Sequence, residues 1–380
     1  MAHPHPIYDL AVVGAGIVGL AHALAAARQG LRVVVLDREA VSIGASVRNF
    51  GFVTVTGQAA GECWRRALRS RDVWAEIAPQ AGIRIEQEGL LVTARRPEAM
   101  AVLEAFAGTA MGEACRLLTV AEARTRCPHL AGGPLAGALW SPHERRVESR
   151  EAIPRLTSWL AEAMGVAFLR PVHVYGIEGT QLATSAGPIE AAHVVVCPGD
   201  ERLALYPERI RSLGIGRCRL HMLKVRPGNG ARLPGAVMSD LSLVRYLGYA
   251  ALPEAAALRR VLEREQPAHL AAGIHLIAVQ GGDGDLVVGD SHHYEESPAP
   301  FADDRVDALI LDDLDAVLGL GERRVVERWM GTYAHLPDRL MVVDAPEPHV
   351  RLVVVTSGTG ASTAFAIAEE VLADLMGVET

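Results

Sequence analysis

The chain has 380 residues, of which half are hydrophobic, and its formal net charge is −8 at pH 7. This composition excludes a disordered chain, and without a basic excess it argues against nucleic acid or an anionic membrane as the main partner. The five cysteines are odd in number and none forms a C-x-x-C pair, so the sequence predicts neither a disulfide framework nor a metal site.

The first apolar segment is interrupted by Gly14, Gly16 and Gly19, and no basic region precedes it. Both features argue against a signal peptide or a membrane span, so we expect a cytoplasmic protein. Around these glycines, the sequence predicts a strand over residues 8–13, a helix over 18–28 and a second buried strand over 31–37. Together these elements form a βαβ unit with glycines at its first turn.

The following segments are predicted in chain order. A loop, GASVRNFG, occupies residues 44–51, and helices are predicted over residues 62–78, 97–107 and in TVAEARTRC, with a strand over 89–94. From residue 148 a helix leads into the strands AFL, VHVYGIE and HVVVCPG. Residues 281–284 are predicted to turn a hairpin between HLIAVQ and DLVVGD. The end of the chain returns to a strand (RLVVV), a glycine turn (TSGTG) and a helix over 362–376.

Segments of α/β type therefore occur at the start, middle and end of the chain, separated by two insertions of different character. This layout predicts a discontinuous, Rossmann-like nucleotide-binding domain and an inserted domain with an antiparallel sheet, an α/β plus α+β fold. The predicted nucleotide domain comprises residues 1–80, 146–215 and 326–380. The predicted substrate domain comprises residues 81–145 and 216–325.

The glycine turn carries the clearest chemical signal. Gly14-x-Gly16-x-x-Gly19 lies between a strand and a helix, and Asp37 ends the next strand. In a dinucleotide-binding unit the glycines permit a tight turn and the approach of a pyrophosphate, and the acid accepts a hydrogen bond from a ribose hydroxyl. The acid disfavours a 2′-phosphate, although Arg38 directly after it leaves NADP open.

Two further glycine segments favour FAD over NAD. The loop GASVRNFG follows the second strand, where an extended cofactor passes towards its reactive ring, and its polar side chains offer hydrogen bonds. The segment TSGTGAST begins the last helix, so its amides and the positive end of the helix dipole are placed to face a reduced flavin. The residues predicted to contact the cofactor here are Ala45, Ser46, Arg48, Asn49, Gly51, Gly358, Thr359, Gly360, Ala361, Ser362 and Thr363.

The segments VVGAGIVGLAHALAAARQG, RPVHVYGIE, HVVVCPG, LVVGD, ERWMGTYAHLPD and VVVTSGTGAS resemble the superfamily of D-amino-acid oxidase and glycine/sarcosine oxidase, from about residue 8 to residue 376. The resemblance implies FAD in the Rossmann-like domain and a substrate beneath the antiparallel sheet of the second domain. It also implies that Val172 binds the adenine edge through its backbone and that Gly199 passes close to the ADP half. The glycines after Val355 would lie at the pyrimidine end of the flavin.

Longer stretches, among them LWSPHERRVESREAIP and GIHLIAVQGGDGDLVVGDSHHY, are similar to a bacterial branch of this superfamily associated with aminophosphonate breakdown. This resemblance implies oxidation of 2-aminoethylphosphonate or its N-methyl derivative to phosphonoacetaldehyde and an amine. Hydride transfer to the flavin needs no obligatory catalytic side chain. The lysine that some relatives carry before the glycine of the LVVG strand is not evident, which leaves oxygen or another electron acceptor open.

Glycine-oxidising members of the superfamily carry an arginine where this chain has Tyr333, which points to a substrate whose anionic end is not a carboxylate. The residues predicted to contact the substrate are Tyr333, His335, His275, Gln280, Arg245, Tyr246 and Arg48. One alternative is a glycine/sarcosine-type amino-acid oxidase whose arginine has moved to Arg245 or Arg48. Another is a flavin-binding subunit that relays electrons.

Two polar runs are interpreted as solvated. The pair at residues 292–293 (HH) is predicted to lie in a solvated loop, and the run at residues 144–146 (ERR) on a solvated face.

Overall fold

Residues 7–377 are described by the structure, a computed structural model. The strands in chain order are β1 Ile7–Val13, β2 Val33–Leu36, β3 Phe52–Val53, β4 Ile85–Ala94, β5 Arg116–Leu118, β6 Gly137–Val147, β7 Ala167–Leu169, β8 Val174–Glu178, β9 Gln181–Thr184, β10 Ile189–Val196, β11 Gly216–Arg226, β12 Ala236–Met238, β13 Ile277–Gln280, β14 Leu286–Gly289, β15 His293–Glu295, β16 Arg324–His335, β17 Met341–Glu347 and β18 Val350–Val355.

The helices in chain order are α1 Ile17–Arg28, α2 Glu62–Gln80, α3 Pro97–Ala107, α4 Val120–Arg126, α5 Ser149–Met164, α6 Pro207–Ser212, α7 Leu247–Ala250, α8 Ala255–Glu265, α9 Pro267–Ala271, α10 Asp304–Val317 and α11 Gly360–Met376. Within residues 7–377, no helix has the length and apolar character needed to cross a bilayer.

The first sheet has the strand order β17-β18-β10-β1-β2-β7, and the hairpin β8–β9 joins it at β10. The strands β7, β2, β1, β10 and β18 pair in parallel, so their carboxyl ends meet at one edge. Apolar clusters cover both faces of this sheet, which explains why β1, β2 and β10 consist largely of Val, Leu and Ala. The predicted βαβ unit and the predicted final strand and helix are confirmed.

The second sheet has the strand order β15-β11-β14-β13-β12-β4-β6-β3, with β16 paired to β11 and β5 paired to β6. The predicted hairpin of β13 and β14 is confirmed, and its turn contains Gly284 at a φ of +89°. Strands β3 and β16 belong to this sheet, although the predicted boundaries assign residues 52–53 and most of β16 to the nucleotide domain. The division into two domains stays a prediction.

The prediction that the E-R-R run in β6 lies on a solvated face is wrong for two of its three residues. Glu144 is 0% exposed and Arg146 is 1% exposed, whereas Arg145 keeps a partly exposed side chain. The alternation follows from the two-residue period of a strand, which turns Glu144 and Arg146 towards the interior and Arg145 away from it. The Glu144 carboxylate accepts a hydrogen bond from the amide of Thr56 at 2.8 Å, and Arg146 Nη2 lies 2.6 Å from Glu148 Oε2.

Candidate functional site

Two glycines of the fingerprint are too closely packed to carry a side chain: Gly14 in the turn between β1 and α1, and Gly19 in the first turn of α1. Gly14 has a φ of +106°, and a Cβ there would lie 2.3 Å from the carbonyl oxygen of Cys197. A Cβ at Gly19 would lie 1.9 Å from the carbonyl oxygen of Gly14. The start of α1 at Ile17 is thereby held against the ends of β1 and β10. This close packing of helix and strand is what the glycine fingerprint of a dinucleotide site requires.

The acid at the end of β2 supports the same turn. Asp37 Oδ2 accepts a hydrogen bond from the amide of Ala15 at 2.7 Å, and its Oδ1 accepts one from the amide of Glu39 at 2.8 Å. The next side chain, Arg38, lies 2.7 Å from Glu201. Because Arg38 already has an acidic partner, it is less available to bind a 2′-phosphate. The pairing therefore weakens the case for NADP that the sequence left open.

A cavity of about 470 Å³ extends from the glycine turn to the second sheet, a volume in the range of small-molecule sites. Most of the residues predicted for cofactor and substrate line it. They are Gly16, Gly19, Ala45, Ser46, Arg48, Asn49, Gly199, Arg245, Tyr246, His275, Tyr333, His335, Gly358, Thr359, Gly360, Ala361 and Ser362.

The loop at residues 44–51 is organised by its own side chains. Ser46 Oγ accepts a hydrogen bond from the amide of Ile17 at 2.9 Å, which joins the loop to the start of α1. The Asn49 side chain donates to the carbonyl oxygen of Ala45 at 2.8 Å and accepts from the amide of Gly51 at 2.6 Å. Both side chains face the cavity, but these bonds shape the loop. Arg48 is the charged side chain that this loop presents to the cavity.

The remaining predicted residues do not line the cavity. They are Gly14, Gly51, Asp37, Arg38, Val172, Thr363 and Gln280. Gly51 packs closely, since a Cβ there would lie 1.7 Å from the carbonyl oxygen of Val147. The amide of Val172 donates to the carbonyl oxygen of Asp37 at 2.8 Å, and its contact with adenine stays a prediction. The Thr363 hydroxyl donates to the carbonyl oxygen of Thr359 at 3.0 Å.

The prediction that Gln280 contacts the substrate is wrong. Its side chain is buried, and its amide nitrogen donates to the carbonyl oxygens of Ala231 at 2.7 Å and Gly284 at 2.8 Å. Its side-chain oxygen accepts from the amide of Leu233 at 2.9 Å. Buried side-chain amides normally have hydrogen-bond partners for their donors and acceptors. The hydrogen bonds of Gln280 join the segment before β12 to the β13–β14 hairpin.

Strand β16 and the segment before α7 form a polar wall of the cavity. Gly331, Tyr333 and His335 alternate along β16 and all line the cavity. Gly331 permits a close approach, because a Cβ there would lie 3.2 Å from the carbonyl oxygen of Arg48. Burial raises the pKa of Tyr333 well above its ordinary value and lowers the pKa of His335, so near neutral pH both side chains are uncharged.

Arg245 supplies the positive charge of this wall. Its Nη2 donates to the hydroxyl of Tyr294 at 2.8 Å, and the Tyr294 ring lies 4.1 Å from the ring of His335. Within residues 7–377, no carboxylate oxygen lies within 4.0 Å of the Arg245 guanidinium nitrogens. The charge of Arg245 is therefore available to an anionic ligand in the cavity.

A second polar group in the cavity consists of His275, Asp290 and His292. Nε2 of His275 lies 3.2 Å from one carboxylate oxygen of Asp290, and Nε2 of His292 lies 3.7 Å from the other. Nδ1 of His292 lies 3.0 Å from the carbonyl oxygen of Gly273, to which it donates as the protonated ring nitrogen. Burial lowers the pKa of both histidines well below the ordinary value, so both are neutral. His292 is 9% exposed, and the prediction of a solvated loop at this residue is wrong.

The donor atoms of these three side chains all lie within 4.8 Å of one another, close enough to hold a metal ion. A hydrogen-bonded cluster has the same spacing, and the absence of a metal site stays a prediction. His275 was predicted from the sequence, whereas Asp290, His292 and Tyr294 were missed by sequence reasoning, although one signal was present. Asp290, His292 and Tyr294 occupy alternate positions directly after β14, which is the spacing of side chains that share one face.

The sequence matches the family described as DAO, FAD dependent oxidoreductase, over residues 9–375. A glycine oxidase of Geobacillus kaustophilus (strain HTA426) is 26% identical over 206 residues. That match covers 50% of this chain and 54% of the relative, so it spans about half of the relative's length.

Solved structures share the fold over nearly the whole chain. The structure of glycine oxidase from Geobacillus kaustophilus superposes with a TM-score of 0.77 at 19% identity, covering 99% of this chain and 96% of that one. L-proline dehydrogenase from P. horikoshii gives a TM-score of 0.78 at 18% identity, covering 98% and 94%. With the glycine turn, the cavity and the family match in agreement, the chain belongs to the DAO family of FAD-dependent oxidoreductases.

Proposed function

We propose that this chain oxidises a small primary or N-methylated amine with a phosphonate tail, with 2-aminoethylphosphonate or its N-methyl derivative as substrate. The products are phosphonoacetaldehyde and ammonia or methylamine, after hydrolysis of the imine. Bound FAD supplies the acceptor for the hydride that leaves the α-carbon. The residues of the chain bind, orient and enclose the amine.

The glycine turn fits FAD because Gly16, Val18 and Gly19 line the cavity at the start of α1, where the close packing of the glycines leaves room for a pyrophosphate. Bound FAD would have its pyrophosphate held at the start of α1, its ribose by Asp37, its ADP half beside Gly199 and its adenine at the carbonyl of Val172. The start of α11 at Gly360 would hold the pyrimidine ring of the flavin with its free amides and the positive end of its dipole.

Arg245 is the observation that carries the choice of substrate. Its guanidinium has no carboxylate partner within residues 7–377, and Tyr294, Tyr333 and His335 stand around it as further polar groups. All of these side chains line the same cavity, and the Tyr294 ring that Arg245 contacts lies 4.1 Å from the ring of His335. A phosphonate has three oxygens and more than one charge near neutral pH, like a phosphate group. Donors that converge from several elements match such a tetrahedral group.

Oxidation of glycine or sarcosine is the second proposal, and the sequence match to a glycine oxidase favours it. In that case Arg245 or Arg48 binds the carboxylate, since Tyr333 occupies the position of the arginine expected from the resemblance. An electron-relay subunit has no use for a polar cavity of this kind.

Anaerobic titration of the FAD-loaded protein separates the two substrates. We expect 2-aminoethylphosphonate or its N-methyl derivative to bleach the flavin absorbance at about tenfold or more lower concentration than glycine or sarcosine, a difference of about 1.4 kcal/mol in binding. Bleaching by glycine and sarcosine alone would overturn the phosphonate proposal. Admission of oxygen to the reduced protein then shows whether oxygen is the acceptor.

Replacing Gly19 with alanine tests the cofactor site. We expect FAD to bind about tenfold to hundredfold more weakly, because overpacking costs about 1–3 kcal/mol and the added Cβ meets the carbonyl oxygen of Gly14. FAD affinity is measured by flavin fluorescence during reconstitution of the apoprotein. Gly44→Ala is the control, since Gly44 has a φ of −82° and no atom within 4 Å of an added Cβ. Equal FAD affinity in both variants would contradict the assignment.

A further inference from the structure

Asp290 is a buried carboxylate with an unsatisfied oxygen in the cavity wall. Its side chain lines the cavity and is 5% exposed. Its Oδ1 forms no hydrogen bond within the described chain, because the His275 nitrogen at 3.2 Å is not aligned to donate to it. An unsatisfied buried carboxylate is costly unless a ligand completes its environment. The geometry therefore calls for a donor or a cation that enters through the cavity.

The groups around Asp290 do not supply that cation. His275 lies on the neighbouring segment, and His292 is two residues after Asp290. Both side chains are neutral at physiological pH because burial lowers their pKa values. Burial raises the pKa of Tyr246, which lines the same cavity, and that of Cys218, so neither is charged near neutral pH. Arg245 is the one cation whose charge acts on Asp290 within the described chain, and it is bound to Tyr294.

Asp290 and Arg245 thus present opposite charges to one cavity. A zwitterion with an anionic tail and an ammonium group complements both, the tail at Arg245 and the ammonium at Asp290. The other carboxylate that lines the cavity, Asp200, lies 3.5 Å from Arg217 and beside Gly199, in the part assigned to the ADP half.

The pKa of Asp290 suits a role as proton acceptor as well as a role as ion-pair partner. Burial raises its pKa to about 7, against the opposing influence of Arg245. The carboxyl group therefore changes its charge near neutral pH, which is the range in which a general base operates best. Hydride transfer from the α-carbon needs the amine in its neutral form, whereas a small aliphatic amine in water is mostly ammonium, as a lysine side chain is.

We infer that Asp290 accepts a proton from the substrate ammonium before oxidation, so that the neutral amine is formed inside the cavity. The N–H bond breaks and its electron pair stays on nitrogen, while an O–H bond forms on the carboxylate. The inference rests on the proposed function only in that an amine is oxidised in this cavity. It does not depend on whether the tail is a phosphonate or a carboxylate.

The Asp290→Asn variant tests the inference through its pH profile. In the wild type we expect kcat/KM to rise with an apparent pKa near 7, set by Asp290. In the variant the amine must arrive neutral, so kcat/KM should be about 100-fold lower near pH 7.5 and should recover as pH approaches the pKa of the free amine. Asp313→Asn is the matched control, because Asp313 is also fully buried with its pKa raised to about 7 by burial, yet does not line the cavity. Its pH profile should be that of the wild type.

A comparison of substrates gives a test that needs no variant. The wild type is assayed with 2-aminoethylphosphonate and with 2-amino-1,1-difluoroethylphosphonate, whose fluorines lower the pKa of the amine. With Asp290 as base, the apparent pKa of kcat/KM is the same for both. An apparent pKa that follows the amine would overturn the inference.

Proton release on binding provides a readout other than activity. The probe is 2-amino-2-methylpropylphosphonate, which has no α-hydrogen to lose, and calorimetry in buffers of different ionisation enthalpy counts the protons released. Near pH 8 the wild type should release none, since the proton moves from nitrogen to Asp290, whereas Asp290→Asn should release about one. Equal release by both proteins would overturn the inference.

Two outcomes separate this inference from the phosphonate proposal and from a metal site. If glycine or sarcosine alone reduces the flavin, the phosphonate proposal fails, and the pH tests are made with that amine. If a chelator abolishes turnover and zinc restores it, the cluster of His275, Asp290 and His292 binds a metal and the proton role of Asp290 is wrong.

Discussion

Replacing Arg245 with methionine is expected to raise the KM for the anionic amine by about 30-fold or more. Removing one partner of a buried, hydrogen-bonded charge pair costs about 2–5 kcal/mol, which corresponds to about 30-fold to several-thousand-fold in binding. Arg245 is the charged group of the polar wall, and within the described residues it has no carboxylate that would have neutralised it. Methionine keeps much of the volume of the side chain. The effect is measured by steady-state kinetics and by anaerobic titration of the flavin.

An amine of similar size without an anionic tail distinguishes loss of charge recognition from general damage. The KM for N-methylpropylamine should change little in Arg245→Met, because that amine has no tail for the guanidinium to bind. Arg226→Met is the matched control, since Arg226 pairs with Asp285 at 2.8 Å and does not line the cavity. If both variants raised the KM for the anionic amine equally, Arg245 would not be the anion-binding residue.

Replacing Arg146 with methionine is expected to lower the free energy of unfolding by about 1.5–3 kcal/mol, the usual contribution of hydrogen bonds made by a charged group, because Arg146 is buried although its partner Glu148 is partly exposed. Arg146 is 1% exposed, its Nη2 lies 2.6 Å from Glu148, and its Nε donates to the carbonyl oxygen of Phe50 at 3.3 Å. It therefore joins β6 to the start of α5 and to the loop that carries Arg48. Urea unfolding followed by circular dichroism measures the change.

The neighbouring arginine gives the matched control. Arg145 Nε lies 3.2 Å from Glu88, whose side chain is exposed, and pairs of this kind contribute about 1 kcal/mol or less. Arg145→Met should therefore unfold at nearly the same urea concentration as the wild type. A loss of stability in Arg145→Met as large as that in Arg146→Met would show that burial of the arginine is not the cause.

Several features of the fold were predictable because their physical cause is local. The glycine fingerprint needs glycines at positions that follow from backbone geometry, and the sequence has Gly14 in the turn between β1 and α1 and Gly19 in the first turn of α1. A glycine-rich turn between two apolar runs predicts the hairpin between β13 and β14. The start of α11 follows from a glycine segment before an apolar helical pattern. Each of these signals involves residues that are neighbours along the chain.

Other features depended on which strands the tertiary structure pairs. The backbones of His275 and Asp290 exchange hydrogen bonds of 3.3 and 3.2 Å, although 15 residues separate them. That pairing brings two side chains of ordinary appearance into one buried cluster. Gln280 was predicted to contact the substrate because of its place on β13. Its side-chain amide instead forms hydrogen bonds with the backbone of the segment before β12. Neither outcome is visible in composition or spacing.

The sequence by itself determined the nucleotide-binding unit, the class of fold and most of the predicted residues that line the cavity, because turn geometry and strand periodicity act over a few residues. The tertiary structure alone decided which further polar groups line the cavity and in what charge state. Burial of Asp290 beside neutral histidines, and the freedom of Arg245 from any carboxylate partner in the described chain, arise from contacts between distant segments. The charge of a side chain depends on its desolvation and its neighbours, and only the folded chain sets these.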